Sequence, residues 1–302
     1  MLKSTYNGEV NMNILVTFDD NYVDATLDML FSLKQYNDNL IIHILYDNLS
    51  EESINRVKDY IENNNIGKLK LYYYGTNEKK LSVIKTEYIT KSCYLRLYAP
   101  YIINEKRLLY LDPDIVCQGS IEELYNIDLG DNIIAASENM LQADMEYLRE
   151  IMLDGIALPE NATYFNSGVL LIDTEKYKDY VALHQLDEFL KVRSDTLEYH
   201  DQDAINFLFY KKIKQIENIY NYQINAVDWW NLSYANILVH YSEAAKPWKL
   251  DYDDPARAMS YYELLHAKGE DNKLKELLQS HAKNNAELRY KFITGELNKK
   301  DN

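Results

Sequence analysis

Residues 108–116 read LLYLDPDIV, so Asp112 and Asp114 stand one residue apart after one apolar run and before another. Two carboxylates at the end of a buried strand repel each other unless a cation lies between them. In an ideal strand residues i and i+2 point the same way, so the pair can grip one hard divalent ion, which can then hold a diphosphate. The bland alternative is a solvent-exposed turn around Pro113. A third ligand is available from His240, which closes the apolar run NILVHY (236–241). A lone histidine after a strand is usually packing, but a neutral imidazole beside two aspartates suits Mn²⁺. KPW (246–248) follows, with Lys246 fixed by a proline and an aromatic anchor. Its ammonium could meet phosphate as a point charge.

Further polar groups stand at the ends of apolar runs. The first run leads into TFDDNY, placing Asp19, Asp20, Asn21 and Tyr22 at a strand's carboxyl end. Ligands gather there in open parallel sheets, so a base and ribose could bind; a helix cap by Asp20 or Asn21 explains the same residues. Arg96, on a short helix before the aspartate strand, is either a second phosphate cation or an ordinary helix-surface ion pair. FNSG (165–168) and HDQD (200–203) contribute Asn166, Gly168, Asp201 and Gln202. A cap or a buried hydrogen bond would explain any of these singly. Neither GxGxxG nor GxxxxGK[ST] occurs, which removes the dinucleotide fingerprint and the P-loop.

These groups need a scaffold, and the hydrophobic pattern supplies one. Strand-length apolar runs at 13–18, 40–46 and 68–74 alternate with helical segments at 23–36 and from Ser50, a plausible N-cap with an acidic first turn. This β-α-β-α-β order predicts a mostly parallel sheet, and continuous rather than alternating strands predict helices on both faces. A short helix over 92–102 stopped by Pro100, a strand over 106–116 and strands at 132–137, 165–173 and 236–241 follow. Helices are expected over 174–193 and 199–210. The long, weakly periodic segment 138–164 reads as a lid or binding loop. The expected organisation is a leader over 1–11, a catalytic α/β domain over 12–252 and a charged helical appendage over 253–302.

The formal net charge of −16 argues against nucleic acid or an anionic membrane as the main partner. It also requires an anionic substrate to find local positive charge in the site. Cys93 and Cys117 form no CxxC pair, which fits a reducing cytoplasm. No apolar signal-peptide core and no run long enough to span a membrane are visible.

Taken in order, DDNY, YLRL, YLDPDIV, DLGDN, FNSGVLLI, DQD and HYSEAAKPW resemble glycosyltransferase family 8 from about Asn13 to Trp248. The resemblance implies a GT-A fold, a UDP-hexose donor, Mn²⁺ or Mg²⁺, a saccharide or glycoconjugate acceptor, and retention of anomeric configuration. It implies metal ligation by Asp112, Asp114 and His240, and uridine binding by Asp19, Asn21 and Tyr22. Arg96, Asn166, Gly168 and Lys246 would contact the donor sugar or its phosphates, and Asp201 and Gln202 would stand beside the transferred sugar. The cysteine usage and the lack of a visible signal peptide predict a cytoplasmic enzyme, with weak peripheral association at the inner membrane face left open along with oligomeric state. Glu243 stands where the family often has glycine, and Asn139 where some relatives have an aspartate near the acceptor. Two other readings stay open. One is a haloacid-dehalogenase-type phosphohydrolase, whose strand also ends in DxD; the other is a non-catalytic sugar-nucleotide-binding protein, which Glu243 favours.

Overall fold

The computed structural model describes residues 11–76, 91–140, 162–193, 196–197, 199–227, 232–233 and 235–294. The first half follows the expected alternation: β1 (Met12–Val16), α1 (Val23–Tyr36), β2 (Leu40–Tyr46), α2 (Glu51–Asn63) and β3 (Lys68–Tyr73). The Ser50 hydroxyl caps α2 by accepting the Ser53 N–H. Next come α3 (Leu95–Ile102), β4 (Arg107–Leu111), β5 (Ile115–Cys117), the single turn α4 (Glu122–Tyr125), β6 (Ile134–Ser137) and β7 (Val169–Asp173). The chain continues through α5 (Thr174–Tyr180), α6 (Leu183–Arg193), α7 (His200–Leu208), β8 (Ile213–Ile216), β9 (Tyr222–Gln223) and β10 (Leu238–His240). It finishes with α8 (Met259–Ala267) and α9 (Asp271–Thr294).

Seven strands form one sheet in the order β3-β2-β1-β4-β7-β6-β8. All neighbours are parallel except β7, which runs against both β4 and β6. Successive residues of the central strands enter opposite cores. Ile14, Val16, Leu109, Leu111, Val169 and Leu171 pack on the α1 and α2 side. Leu15, Leu108, Tyr110, Leu170 and Ile172 pack on the side of α3, α5, α6 and α7. A strand covered on both faces has no position to leave polar, which is why these runs are continuously apolar.

Four sequence expectations need correction. The run 106–116 is not one strand: it breaks at Asp112-Pro113-Asp114, and β5 pairs with β10 in a separate three-stranded sheet, β5-β10-β9. Pro100 lies inside α3 rather than ending it, and the helix runs on to Ile102. The helix expected over 174–193 is two, α5 and α6, with Val181 extended between them. Of 165–173, only 169–173 is strand; Phe165 makes an isolated bridge to Glu138. Of the expected leader and lid, residues 1–10 and 141–161 lie outside the described residues.

The C-terminal helices close the smaller sheet. Tyr261 and Leu265 of α8 and Leu277 of α9 join Val116, Tyr222, Val239 and Tyr241 in a third core. Asp28 of α1 ties them to the main sheet, accepting from Tyr261 Oη at 2.8 Å and pairing with the buried Lys268 ammonium. Burial opposes the charge on Lys268, but Asp28 outweighs it and holds the ammonium above its ordinary range. Helix α9 also clamps the segment after Lys246. The carbonyls of Lys249, Leu250 and Asp253 accept from His281, Ser280 and Asn285, and Asn284 donates to those of Leu250 and Tyr252. Among the described residues no helix is long and apolar enough to cross a membrane.

Asp28→Ala leaves the Lys268 ammonium buried beside only Glu270. Breaking one side of a buried pair costs about 3–5 kcal/mol, so chemical denaturation is expected to show a loss of that order. A change below about 1 kcal/mol, the level of an exposed pair, would show that the tether is not an energetic link.

Candidate active site

The break between β4 and β5 brings Asp112 and Asp114 to the carboxyl edge of the main sheet, where the two sheets meet. Because β7 is antiparallel to β4, its start lies beside the end of β4, with Leu111 opposite Val169. That delivers Asn166, Ser167 and Gly168 to the aspartates, and the Asp112 N–H donates to Gly168 O at 2.8 Å. Strand β10 runs against β5, with His240 opposite Ile115, and delivers the imidazole from the other sheet. One ligand atom each from Asp112, Asp114 and His240 lies within 4.8 Å of the others, the geometry of a cation site.

Each carboxylate has a defined environment. Asp112 Oδ1 accepts from Tyr110 Oη at 2.5 Å and pairs with Arg96 Nη2 at 3.0 Å, while its Oδ2 lies 3.6 Å from His240 Nε2. Asp114 Oδ2 pairs with Lys246 Nζ at 2.7 Å. Asp114 Oδ1 is buried without an aligned hydrogen bond, although His240 Nε2 is 3.1 Å away. Burial pushes the Asp114 carboxyl up, but Lys246 and His240 outweigh it and hold it well below the usual range. An ionised, buried, under-satisfied carboxylate oxygen facing an imidazole nitrogen is the donor set a divalent cation takes.

Gly168 shows how tight the arrangement is. A Cβ there would lie 2.2 Å from His240 Cε1 and 2.8 Å from Asp112 Oδ2. The glycine is therefore required by the approach of His240 and Asp112. It does not line the cavity, which is a different role from a donor-sugar contact.

The cavity beside this cluster has a volume of about 250 Å³ and is lined by Asp19, Tyr22, Arg96, Asn166, Asp201 and Gln202, together with Asp112, Asp114 and His240. Asp19 caps the short turn Asp20–Tyr22 by accepting the Asn21 N–H at 3.0 Å. The cap is thus Asp19, not Asp20 or Asn21. Asp20 instead holds Ser50 of α2, and Asn21 is exposed and does not line the cavity. Lys246 sits behind Asp114, buried and bonded to it. Asn139 is buried and stands outside the cavity lining.

Arg96 is no surface residue. It is buried against the Tyr110 ring: Nη2 pairs with Asp112, Nη1 donates to the Ser167 carbonyl and hydroxyl, and Nε donates to the Cys93 carbonyl with the Asp201 carboxylate 3.1 Å away. It works as a counterion between two carboxylates at the wall of the cavity. Burial raises the Asp201 carboxyl despite Arg96. Asp201 and Gln202 are neighbours on a helix and would ordinarily face apart. Here both line the cavity, because they occupy the first turn of α7 after His200, whose φ of +49° turns the chain in the left-handed region.

Gln202 Oε1 accepts from Asn166 Nδ2 at 3.0 Å and from the Ser167 N–H at 3.1 Å. Both of its lone pairs are committed, so the end of the side chain left over is Nε2, a donor. Sequence reasoning missed Ser167, Tyr110 and Asn221. Ser167 and Tyr110 lay inside quoted motifs without being singled out, and Asn221 lay outside all of them and emerges only from contacts.

Comparison with known proteins places this geometry. The model of glycosyl transferase family 8 matches residues 13–251, most of the chain. The lipopolysaccharide 1,2-glucosyltransferase of Escherichia coli (strain K12) is 27% identical, over 78% of this chain and 72% of that enzyme. Glycosyltransferase GlyE of Streptococcus pneumoniae serotype 4 is 24% identical over 75% of this chain, which spans only 54% of its length. Among solved structures, galactosyltransferase LgtC, bound to donor and acceptor sugar analogs, superposes with a TM-score of 0.66 at 24% identity. That match covers 85% of this chain and 96% of LgtC. The GlyE structure gives 0.63 at 21% identity, covering 85% of this chain and 61% of its own. A family match over most of the chain excludes the phosphohydrolase reading: the chain has the GT-A fold and belongs to glycosyltransferase family 8.

Proposed function

We propose that this glycosyltransferase is a retaining hexosyltransferase that moves glucose or galactose from a UDP-sugar to a saccharide or glycoconjugate acceptor, with Mn²⁺ or Mg²⁺ as cofactor. The observation that carries the reading is the convergence of Asp112, Asp114 and His240 on one edge of a polar cavity. Those three residues would hold the cation, which when bound stabilises negative charge on the departing diphosphate. Asp19 and Tyr22 suit the nucleoside end of the donor. Lys246 suits the diphosphate, as the cation behind Asp114. Asn166, Asp201 and Gln202 suit the sugar. The relatives named above support a hexose and a glycan acceptor. Residues 12–252 are proposed as the catalytic unit, with 253–302 as an appendage whose α8 and α9 brace it.

Retention is supported by what the described residues place around the cavity. An inverting enzyme needs a carboxylate base across the sugar from the leaving group. Asp112 and Asp114 belong to the cation site, and Asp201 is engaged by Arg96. Gln202 cannot take a proton effectively near neutral pH. Its Oε1, holding two hydrogen bonds, is also a poor nucleophile. The acceptor's proton then passes to the departing diphosphate on the same face, and Gln202 Nε2 steadies the sugar by donating to it.

Three outcomes are expected. In the first, Asp112→Asn and Asp114→Asn each abolish Mn²⁺-dependent UDP release from UDP-hexose, and full activity in both would overturn the metal assignment. Their stabilities should differ. Asp114 has a depressed native pKa, so its ionised form stabilises the fold above the unfolded value of about 4, and that advantage fades as pH falls through the native value. At pH 7 Asp114→Asn should therefore lower Tm, and the gap to wild type should close in acid. A gap unchanged by pH would show that the Lys246 pair is not its source.

A second measurement addresses the nucleotide. UDP with Mn²⁺ should raise Tm, as expected for about 2.7 kcal/mol of stabilisation at a hundredfold excess over Kd. Equal shifts from ADP and GDP would contradict a uridine-selective site at Asp19 and Tyr22.

The third concerns stereochemistry. Anomeric ¹H coupling in the fresh product should show an α linkage, and Gln202→Ala should keep measurable turnover. A β-linked product would refute retention, and complete loss in Gln202→Ala with intact donor binding would restore Gln202 as a nucleophile.

A further inference from the structure

Asn221 is fully buried between the short turn Asn218–Tyr220 and β9, and none of the site motifs contains it. Its Nδ2 donates to Asn166 Oδ1 at 2.8 Å, and its Oδ1 lies 2.8 Å from His240 Nδ1. Which end of each amide faces which partner is fixed by backbone donors that cannot turn around. The Gly168 N–H donates to Asn166 Oδ1 at 2.9 Å, so that atom is an acceptor. The Ser167 N–H does the same for Gln202 Oε1. Asn166 must then present Nδ2 to Gln202, and Asn221 must present Nδ2 to Asn166. Asn221 has only its oxygen left for His240, so Nδ1 carries a proton and Nε2 is the nitrogen left to face Asp112 and Asp114. Second-sphere acceptors of this kind fix the tautomer and orientation of metal-bound histidines.

We infer that Asn221 is a positioning residue joining the two halves of the site: it aims His240 Nε2 at the cation and, through Asn166, fixes Gln202 at the sugar. The inference rests on the proposed metal-dependent reaction. It predicts separable defects, because the two arms of Asn221 need different chemistry. Asn221→Ala removes both arms. Asn221→Asp keeps an acceptor for His240 Nδ1–H but has no donor for Asn166 Oδ1, which remains pinned by Gly168.

The test titrates Mn²⁺ into full-length protein without donor and follows the free-ion electron paramagnetic resonance signal. Loss of a second-sphere partner typically weakens metal binding 10- to 100-fold. Asn221→Ala should weaken Mn²⁺ binding by about that factor and regain part of its turnover at saturating Mn²⁺. Asn221→Asp should bind Mn²⁺ as wild type does, lose kcat, and show no rescue by added metal. If Asn221→Ala binds Mn²⁺ like wild type, Asn221 does not position His240. If Asn221→Asp loses Mn²⁺ binding as far as Asn221→Ala, or keeps wild-type kcat, the two-armed assignment fails. Should Asn221→Ala fail to fold, the split between metal binding and kcat in Asn221→Asp decides alone. Wild-type protein that binds no Mn²⁺ would instead remove the metal reading itself, and this inference with it.

Discussion

Buried negative charge at the junction of two sheets is the constraint around which the rest of the molecule is arranged. Asp112 and Asp114 are largely withdrawn from solvent, so each is met by fixed positive or polar groups. Tyr110 and Arg96 meet the first, and Lys246 and His240 meet the second. Those partners come from β4, α3, β10 and the segment after it, so the aspartates set where four parts of the chain must converge. The overall charge of −16 makes the same demand on a larger scale, since an anionic donor can approach only where local cations reverse the field.

Strand direction is what makes the convergence possible. A wholly parallel sheet would carry the start of β7 to the far edge, away from the aspartates. Its reversal puts FNSG against the end of β4, and the reversal of β10 against β5 does the same for His240. The close approach then leaves no room for a side chain at Gly168. The glycine serves packing against His240 and Asp112 rather than an unusual backbone angle, which is a steric reason distinct from conformational freedom.

The early β-α alternation was legible because both the period of the helices and the double-sided burial of the strands leave clear patterns. Asp112, Asp114 and His240 were legible for a different reason: paired carboxylates after an apolar run are costly without a ligand. The break at Pro113 was hidden because residues 108–111 of β4 and all of β5 are buried, so the apolar run carries no mark where the chain leaves one sheet for another. The helix split at Val181 was hidden similarly, since apolar residues on both sides keep a helical period. Arg96 and Asn221 illustrate the deeper limit. A polar residue's partners across the fold are set by tertiary placement, and no local spacing distinguishes a buried counterion from a surface one.

The clamp of α9 on the Lys249–Asp253 segment has a consequence for the order in which the protein is made. Synthesis proceeds from the N-terminus, so the seven-stranded sheet and both aspartates leave the ribosome well before Ser280, His281, Asn284 and Asn285. Until α9 emerges, the carbonyls just downstream of Lys246 lack these donors, and the segment that follows the lysine is unfastened. The edge that carries Lys246 is therefore fastened only once α9 has been made.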